Sequence, residues 1–316
     1  MHGKNISIHA FNKIHIREDY MKQCRFFAML LVAAMIAFSS CGGGGSGDGD
    51  GNENNNGGGS VDVEFLSAVQ TGGSSGTVDS AALTLTFSAD PATLTANNIT
   101  VTGATKGVLS GTGTTRTLGI SAITVDNEAE VSVEIASPSG YTISGAPKTA
   151  TVYRLLSVGM PYQGGVIAYI LQNGDPGFVT GQTHGLIAAT SDQSTGVVWA
   201  VAAYQSASVD GTDTVLGTGS VNTDRIIAQN GVGTAYAAGL ARVYNGGSYT
   251  DWYLPSKDEL NKLFLKKVAV GGFANNYYLS SSQMDANYAW SQNFSGGYQG
   301  MGSKNNPFRV RAVRAF

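Results

Sequence analysis

The sequence predicts a multidomain, β-rich protein in which an all-β sandwich is followed by an α+β domain. Three observations lead there. Apolar and polar residues alternate with period two in short runs between residues 61 and 153, closed by clusters of Gly, Pro, Ser and Asn. A capping box at Ser256 and Glu259 marks a helix start far downstream, in a stretch of different texture. Glycine supplies 43 of the 316 residues and charged residues only 13%, where ~25% is usual, which argues against long charged helices. A chain of 316 residues has room for about two domains of ~150 residues.

Residues 1–20 fit no element, and Met21 is the expected start. Lys22 and Arg25 form the basic region of a signal peptide over 21–40, and Phe26 to Phe38 form its uncharged run. That run is shorter than the ~20 residues of a membrane-spanning helix. It ends in Phe38-Ser39-Ser40-Cys41, which resembles a bacterial lipoprotein signal, although Phe38 stands where leucine is usual. The resemblance implies that Cys41 is lipidated and becomes the N-terminus, attaching the protein to the membrane. Gly42 follows the cysteine in place of an inner-membrane aspartate, so the expected location is the outer membrane or cell surface. Residues 41–60 carry no apolar side chain after Cys41 and form a flexible tether. About 19 such residues reach ~20–26 Å, enough to clear lipid headgroups.

Three of the four histidines and both cysteines precede residue 42, leaving His184 alone beyond it. Disulfides, thiolate catalysis and cysteine zinc sites are therefore excluded from the folded part unless another chain supplies ligands. The net charge of −3, from 19 basic and 22 acidic residues, leaves no electrostatic footprint for nucleic acid.

The first folded module spans 61–156. Val61, Val63 and Phe65 alternate with acids, Leu83, Leu85 and Phe87 with threonines, and Val131, Val133 and Ile135 share a face. With Ile99–Thr102, Arg116–Ile123 and Thr149–Tyr153, about seven strands fall within about 95 residues, the pattern of a sandwich. The segment resembles immunoglobulin-like modules of bacterial surface proteins. Asp126, Glu128 and Glu130 read as one solvated face, and the module as a spacer.

The second module, 157–316, holds the specific motifs. Gly164-Gly-Val-Ile-Ala-Tyr169, His184-Gly-Leu-Ile-Ala-Ala189, Asp251-Trp-Tyr-Leu-Pro-Ser-Lys-Asp-Glu-Leu260, Ala289-Trp-Ser-Gln-Asn-Phe294 and Arg309-Val-Arg-Ala-Val-Arg314 follow in order. Together they resemble the Lcl C-terminal domain family, also known as DUF1566. The resemblance implies a C-type lectin-like fold and an adhesive, ligand-binding module, with glycosaminoglycan binding attributed to the adhesin that gives the name.

From the residues themselves, Ser256 and Glu259 open a helix whose Leu260, Leu263, Phe264 and Val268 share a face. A second helix is expected over Ala228–Tyr244. Phe308–Phe316 alternates over nine residues and reads as one strand burying Phe308, Val310, Ala312 and Phe316 beside a basic face. Trp290, Phe294 and one of Tyr277 and Tyr278 are expected in the core.

No enzyme chemistry is expected. His184, Ser191 and Asp192 form a triad only on paper, Glu259 is better used as a cap than as a partner for Asp251, and no dinucleotide or phosphate loop is complete. The formylglycine-generating enzymes, whose Trp-Arg-Leu-Pro-Thr turn Trp252-Tyr-Leu-Pro-Ser resembles, use cysteines that this module lacks. No cofactor is expected. Asp285, Asn287 and Asn293 are the candidates for calcium, but such turn residues ordinarily serve backbone groups.

The expected activity is binding of a glycan, sulfated or not, or of a protein. The segment Asn275–Phe308 mixes Tyr and Trp with Asn, Ser and Gly, as paratopes do. The candidate ligand-binding residues are Tyr288, Asn293, Tyr298, Lys304, Asn305 and Arg309, with a secondary basic patch at Lys262 and Lys266, one helical turn apart. The rival functions are an enzyme acting on surface polysaccharide and a purely structural envelope protein.

Overall fold

A computed structural model describes residues 59–316. The expected extension over 1–20, the expected signal peptide over 21–40, Cys41 and all but the end of the expected tether lie outside the described residues.

Eight strands build the first half: β1 Val61–Thr71, β2 Ala82–Phe87, β3 Ile99–Thr102, β4 Thr105–Ser110, β5 Thr115–Ser121, β6 Glu130–Ile135, β7 Tyr141–Ser144 and β8 Lys148–Thr151. They form a five-stranded sheet of order β4-β5-β2-β1-β7 and a three-stranded sheet of order β3-β6-β8. β1 runs antiparallel to β2, with Phe65 opposite Phe87, and parallel to β7. Period-two alternation turns Phe65, Leu83, Leu85, Phe87 and Leu118 of one sheet toward Ile99, Val131 and Val133 of the other, in one buried core. Each such side chain contributes about 1.5–3 kcal/mol by leaving water. β4 and β7 lie at sheet edges and are largely exposed, so neither carries the alternation that reveals the central strands. Arg116 is buried within β5 and paired with Asp90 at 2.6 Å.

The second half has two further sheets. β9 Pro161–Tyr162, β10 Gly165–Ile170, β11 Gly185–Ala188 and β17 Val313–Ala315 form a sheet of order β17-β11-β10-β9. β12 Ser194–Val197, β13 Tyr277–Gln283, β14 Tyr288–Asn293, β15 Gln299–Ser303 and β16 Phe308–Val310 form one of order β12-β16-β13-β14-β15. Four helices accompany them among the described residues: α1 Gly219–Asn230, α2 Ala237–Val243, α3 Lys257–Leu265 and α4 Lys267–Val270. One core gathers Trp199, Trp252, Ile226, Tyr236 and Leu279, and another sets Leu260 and Leu263 of α3 against Tyr278 and Phe294. The described residues form one compact unit.

Three expectations are corrected. The helix expected over Ala228–Tyr244 is two helices, α1 beginning earlier and α2 starting at Ala237. Gly231, at φ +80°, ends α1, and its buried face is Gly219, Asn222, Thr223 and Ile226, too polar to show an apolar period. Val268 is 90% exposed, because α3 stops at Leu265 and the chain restarts as α4. Phe308–Phe316 is not one strand: β16 and β17 belong to different sheets, and Arg311 and Arg314 between and within them are buried.

The C-terminal arginines are internal because each meets a distant aspartate. Asp192 accepts from Arg311 Nε at 2.8 Å, from Arg309 Nη1 at 2.9 Å and from the Tyr278 hydroxyl at 2.9 Å. Arg311 also lies over the Phe273 ring at 4.1 Å. Arg314 makes a bidentate pair with Asp251 at 2.7 and 2.9 Å and lies over the Tyr249 ring at 3.9 Å. The Arg314 hydrogen bond and charge hold the Asp251 carboxyl below its usual range despite partial burial.

Candidate ligand-binding face

The α3 cap forms as the sequence predicts. Ser256 Oγ accepts from Glu259 N at 3.3 Å, and Glu259 Oε2 accepts from Ser256 N at 2.7 Å. Glu259 also accepts from Gly217 N at 3.0 Å and from the Tyr253 hydroxyl at 3.3 Å. It is wholly buried, and burial raises its carboxyl above the usual value. Position 219 must be glycine, since a Cβ there would overlap the Glu259 carboxylate. This buried hub fixes α3 across one face of β14 and β15, where Gln292 Nε2 donates to Asn261 Oδ1 at 2.8 Å and Gln299 Nε2 to Lys257 O at 2.8 Å.

The six candidate binding residues do not converge. Tyr288 opens β14 and is exposed, opposite Ser303. Asn305 is exposed at the same end, its Oδ1 accepting from Ser303 Oγ. Asn293 and Tyr298 lie at the other end of the hairpin, about 17 Å away by strand rise, where Asn293 Oδ1 accepts from Ser295 N. Tyr298 is 69% exposed and lays its ring on Gly300.

Lys304 and Arg309 are removed from the face. Lys304 is fully buried, donating to Ala207 O and Gln283 Oε1 at 2.7 Å each beneath the Trp199 ring, and desolvation lowers its pKa to about 8. Arg309 is committed to Asp192. The proposed Lys262 and Lys266 patch is also dispersed. Lys262 lies over the Tyr169 ring at 4.1 Å, donates to its hydroxyl at 3.0 Å and approaches Asp175 at 3.9 Å, while Lys266 caps the end of α3.

A different stripe stands exposed. Directly opposed residues of an antiparallel pair project to one side, so Tyr288, Trp290, Met301 and Ser303 share a face. Met301 is 64% exposed and Tyr288 37%. Trp290, expected in the core, is only half-buried, because its cross-strand neighbour Met301 is open to water and its ring is covered by Lys257 Nζ, 4.5 Å away. Phe294 and Tyr278 are core residues. β15 is the edge of its sheet, so the stripe borders an open strand. Its chemistry is flat apolar contact area of low conformational freedom, bordered by hydroxyl and amide groups.

The catalytic arrangements considered from the sequence do not assemble. His184 contacts Gln182 Oε1 at 2.8 Å and Phe316 O at 3.2 Å, while Asp192 is held by the two arginines. Asp285 Oδ1 accepts from Asn287 N and Tyr288 N, both at 2.8 Å, and so closes a turn. Among the described residues no three His, Cys, Asp or Glu gather as metal ligands.

Several clefts lie away from the stripe, two of which adjoin and share His184 and Phe316. One of about 380 Å³ is lined by Leu171, Leu186, Leu216, Asp251 and Phe316 among others. The other, about 360 Å³, lies at the seam with the sandwich and includes Glu128, Tyr162, Gln182 and Thr183.

A β-sandwich carrying a mixed α and β domain with an exposed aromatic edge is the class the described residues define. Residues 188–314 match the Lcl C-terminal domain family model. The motif at Gly164–Tyr169 and the start of that at His184 precede the matched span. No curated protein matches the chain. Among solved structures it is similar to a fimbrial protein from Bacteroides ovatus, at 12% identity and a TM-score of 0.34, over 80% of this chain and 70% of that one.

Proposed function

We propose that this is a lipid-anchored surface protein of the bacterial envelope, held at the outer membrane through Cys41, whose terminal domain binds a glycan or protein ligand in an adhesin-like role. In this account the sandwich is an immunoglobulin-like spacer, the terminal domain is C-type lectin-like, and the work done is binding without catalysis. The observation that carries it is the stripe of Tyr288, Trp290 and Met301 at an open sheet edge, flanked on the same face by α3, whose start the buried Glu259 hub fixes. Preorganised aromatic area of this kind serves recognition at low entropic cost. The Lcl C-terminal match over 188–314 supports a surface role.

The basic residues favour an uncharged or protein ligand over a sulfated chain. Lys304, Arg309, Arg311, Arg314 and Lys262 are spent inside the domain, and Lys257 lies 3.8 Å from Asp258. The test is a glycan and extracellular-protein array probed with the full chain and with a Tyr288→Ala, Met301→Ala variant, with and without calcium, at two salt concentrations. At least one selective signal lost in the variant and flat with salt is expected. An array pattern unchanged in the variant, or binding confined to sulfated glycans at low salt, would overturn the assignment.

A further inference from the structure

We propose a second ligand site, separate from the Trp290 stripe: a groove made of two adjoining clefts, one of them at the seam between the sandwich and the terminal domain, that takes a neutral oligosaccharide. The clefts, of about 380 and 360 Å³, share the His184 and Phe316 walls, and the second draws its lining from both the sandwich, at Ser75 and Glu128, and the terminal domain. The groove's volume exceeds that of a site for a single small group and lies in the range of ligand pockets, which favour domain junctions.

The junction is built to hold its shape. Gly76 forms a parallel bridge with Leu155, and Leu156 N donates to Gly76 O at 3.0 Å. Asn127 Oδ1 accepts from Gly76 N at 3.2 Å and from Arg154 N at 2.9 Å, tying the acidic loop of the sandwich to the segment that leaves it. Gly76 has φ +68° and packs so closely on Thr183 that a Cβ would sit 2.5 Å from that side chain.

The groove chemistry selects the ligand. The first cleft has an apolar wall of Leu171, Leu186 and Leu216, the second has Leu156 and Tyr162, and the Phe316 ring, which meets Tyr162 edge-on at 5.4 Å, lines both. Each cleft also carries polar groups. In the first, Asp251 is ionised and uses one lone pair of each oxygen on Arg314, leaving others open in a side chain that is about half exposed. At the seam, Glu128 accepts from Ser75 through Oε1, and Gln182 accepts from His184 through Oε1. Among the described residues Glu128 Oε2 and Gln182 Nε2 meet no protein partner. Acceptors and an amide donor beside apolar and aromatic walls match the hydroxyl rim and C–H face of a sugar chain.

Charge decides against the alternatives. An anionic chain would meet Glu128 and Asp251, no Lys or Arg is among the residues lining either cleft, and Arg314 beside Asp251 is already shared between Asp251 and Gln163. A basic peptide gains little at Asp251, whose charge Arg314 balances, or at exposed Glu128, which solvent screens.

The experiment is titration calorimetry of the full chain with neutral manno-, gluco-, galacto- and chito-oligosaccharides of about five residues, a heparin fragment and a basic peptide. At least one neutral oligosaccharide is expected to bind with Kd below ~1 mM. Gln182→Trp, which fills the seam from an exposed position, and Glu128→Gln should each weaken it about tenfold. Val268→Ser, at a position 90% exposed on α4 and outside both sites, should leave that affinity unchanged, and Gln182→Trp should leave in place the array signal carried by the exposed stripe, which separates the two sites. Gln182→Ala serves if the tryptophan variant misfolds. No binding by any neutral oligosaccharide, binding indifferent to both groove variants, or binding confined to heparin or the peptide would overturn the proposal.

Discussion

Asp192 is the single side chain on which the internal placement of the C-terminal arginines depends. In Asp192→Ala, Arg311 loses contacts from Nε at 2.8 Å and Nη2 at 2.7 Å, Arg309 loses its partner at 2.9 Å, and the Tyr278 hydroxyl loses its acceptor. Arg311 is wholly buried, so its charge cannot recover by turning to water. Breaking a buried pair from one side costs about 3–5 kcal/mol, and the Tyr278 hydrogen bond adds about 1. The carbonyls of Ala189 at 3.0 Å and Gly272 at 2.6 Å and the Phe273 ring remain, which places the total near ~4 kcal/mol. For a unit of this size each kcal/mol moves Tm by about 2–4 °C, giving a loss of about 8–16 °C. Asp192→Asn keeps the shape without the charge and should lose about half as much. All three tryptophans, Trp199, Trp252 and Trp290, lie in the terminal half, so their fluorescence in urea unfolding reports the affected region. A loss below ~1 kcal/mol, or one abolished in ~1 M salt, would mean that these arginines form an exposed basic face after all.

Further outcomes follow from the other buried polar groups. The Lys304 pKa of about 8 lies below its unfolded value, so the unfolded chain holds the extra proton between about pH 8 and 10.5 and wild-type stability rises there. Relative to Lys304→Gln the gain should approach ~3 kcal/mol over that window in urea titrations; a difference independent of pH would refute the desolvated ammonium. Burial raises the Glu259 carboxyl, so its contribution is full below the unfolded pKa and lost as pH rises through the folded one. Glu259→Gln should therefore gain on wild type as pH rises above about 4.5, whereas Glu259→Ala, which strands Ser256 N and Gly217 N, should cost ~3 kcal/mol by denaturation at neutral pH. Gly76→Ala should cost about 1–3 kcal/mol through its positive φ and the Thr183 contact, with part regained in Gly76→Ala, Thr183→Ala; full tolerance of the single change would show that the seam is loose.

What was legible in the sequence is what depends on neighbours along the chain. Val131, Val133 and Ile135 alternate because the sheet buries one side, and Ser256 with Glu259 caps α3 because both partners lie within one turn. What escaped depends on partners far away. Arg309 is 117 residues from Asp192 and Lys304 is 97 from Ala207, so an apparent basic face and a surface lysine turned out to be internal. β13 carries Ser280, Ser281 and Ser282 buried in a row, the first and last hydroxyls donating to Trp290 O and Asp213 O and the Ser281 hydroxyl accepting from Asn222 Nδ2, and no apolar pattern announces it. Trp290 was misplaced for the converse reason. A tryptophan beside core residues reads as core, and only the edge position of β15 leaves it half open.

The most direct measurement is binding of wild type, Trp290→Ala and Arg309→Ala, each as the full chain, to one immobilised glycan and protein array. The account predicts that Trp290→Ala loses at least one selective signal, by about tenfold or more for a central aromatic anchor, with Tm nearly unchanged, while Arg309→Ala keeps every signal and loses stability. An array pattern that Trp290→Ala leaves unchanged and Arg309→Ala abolishes in a folded protein would contradict it.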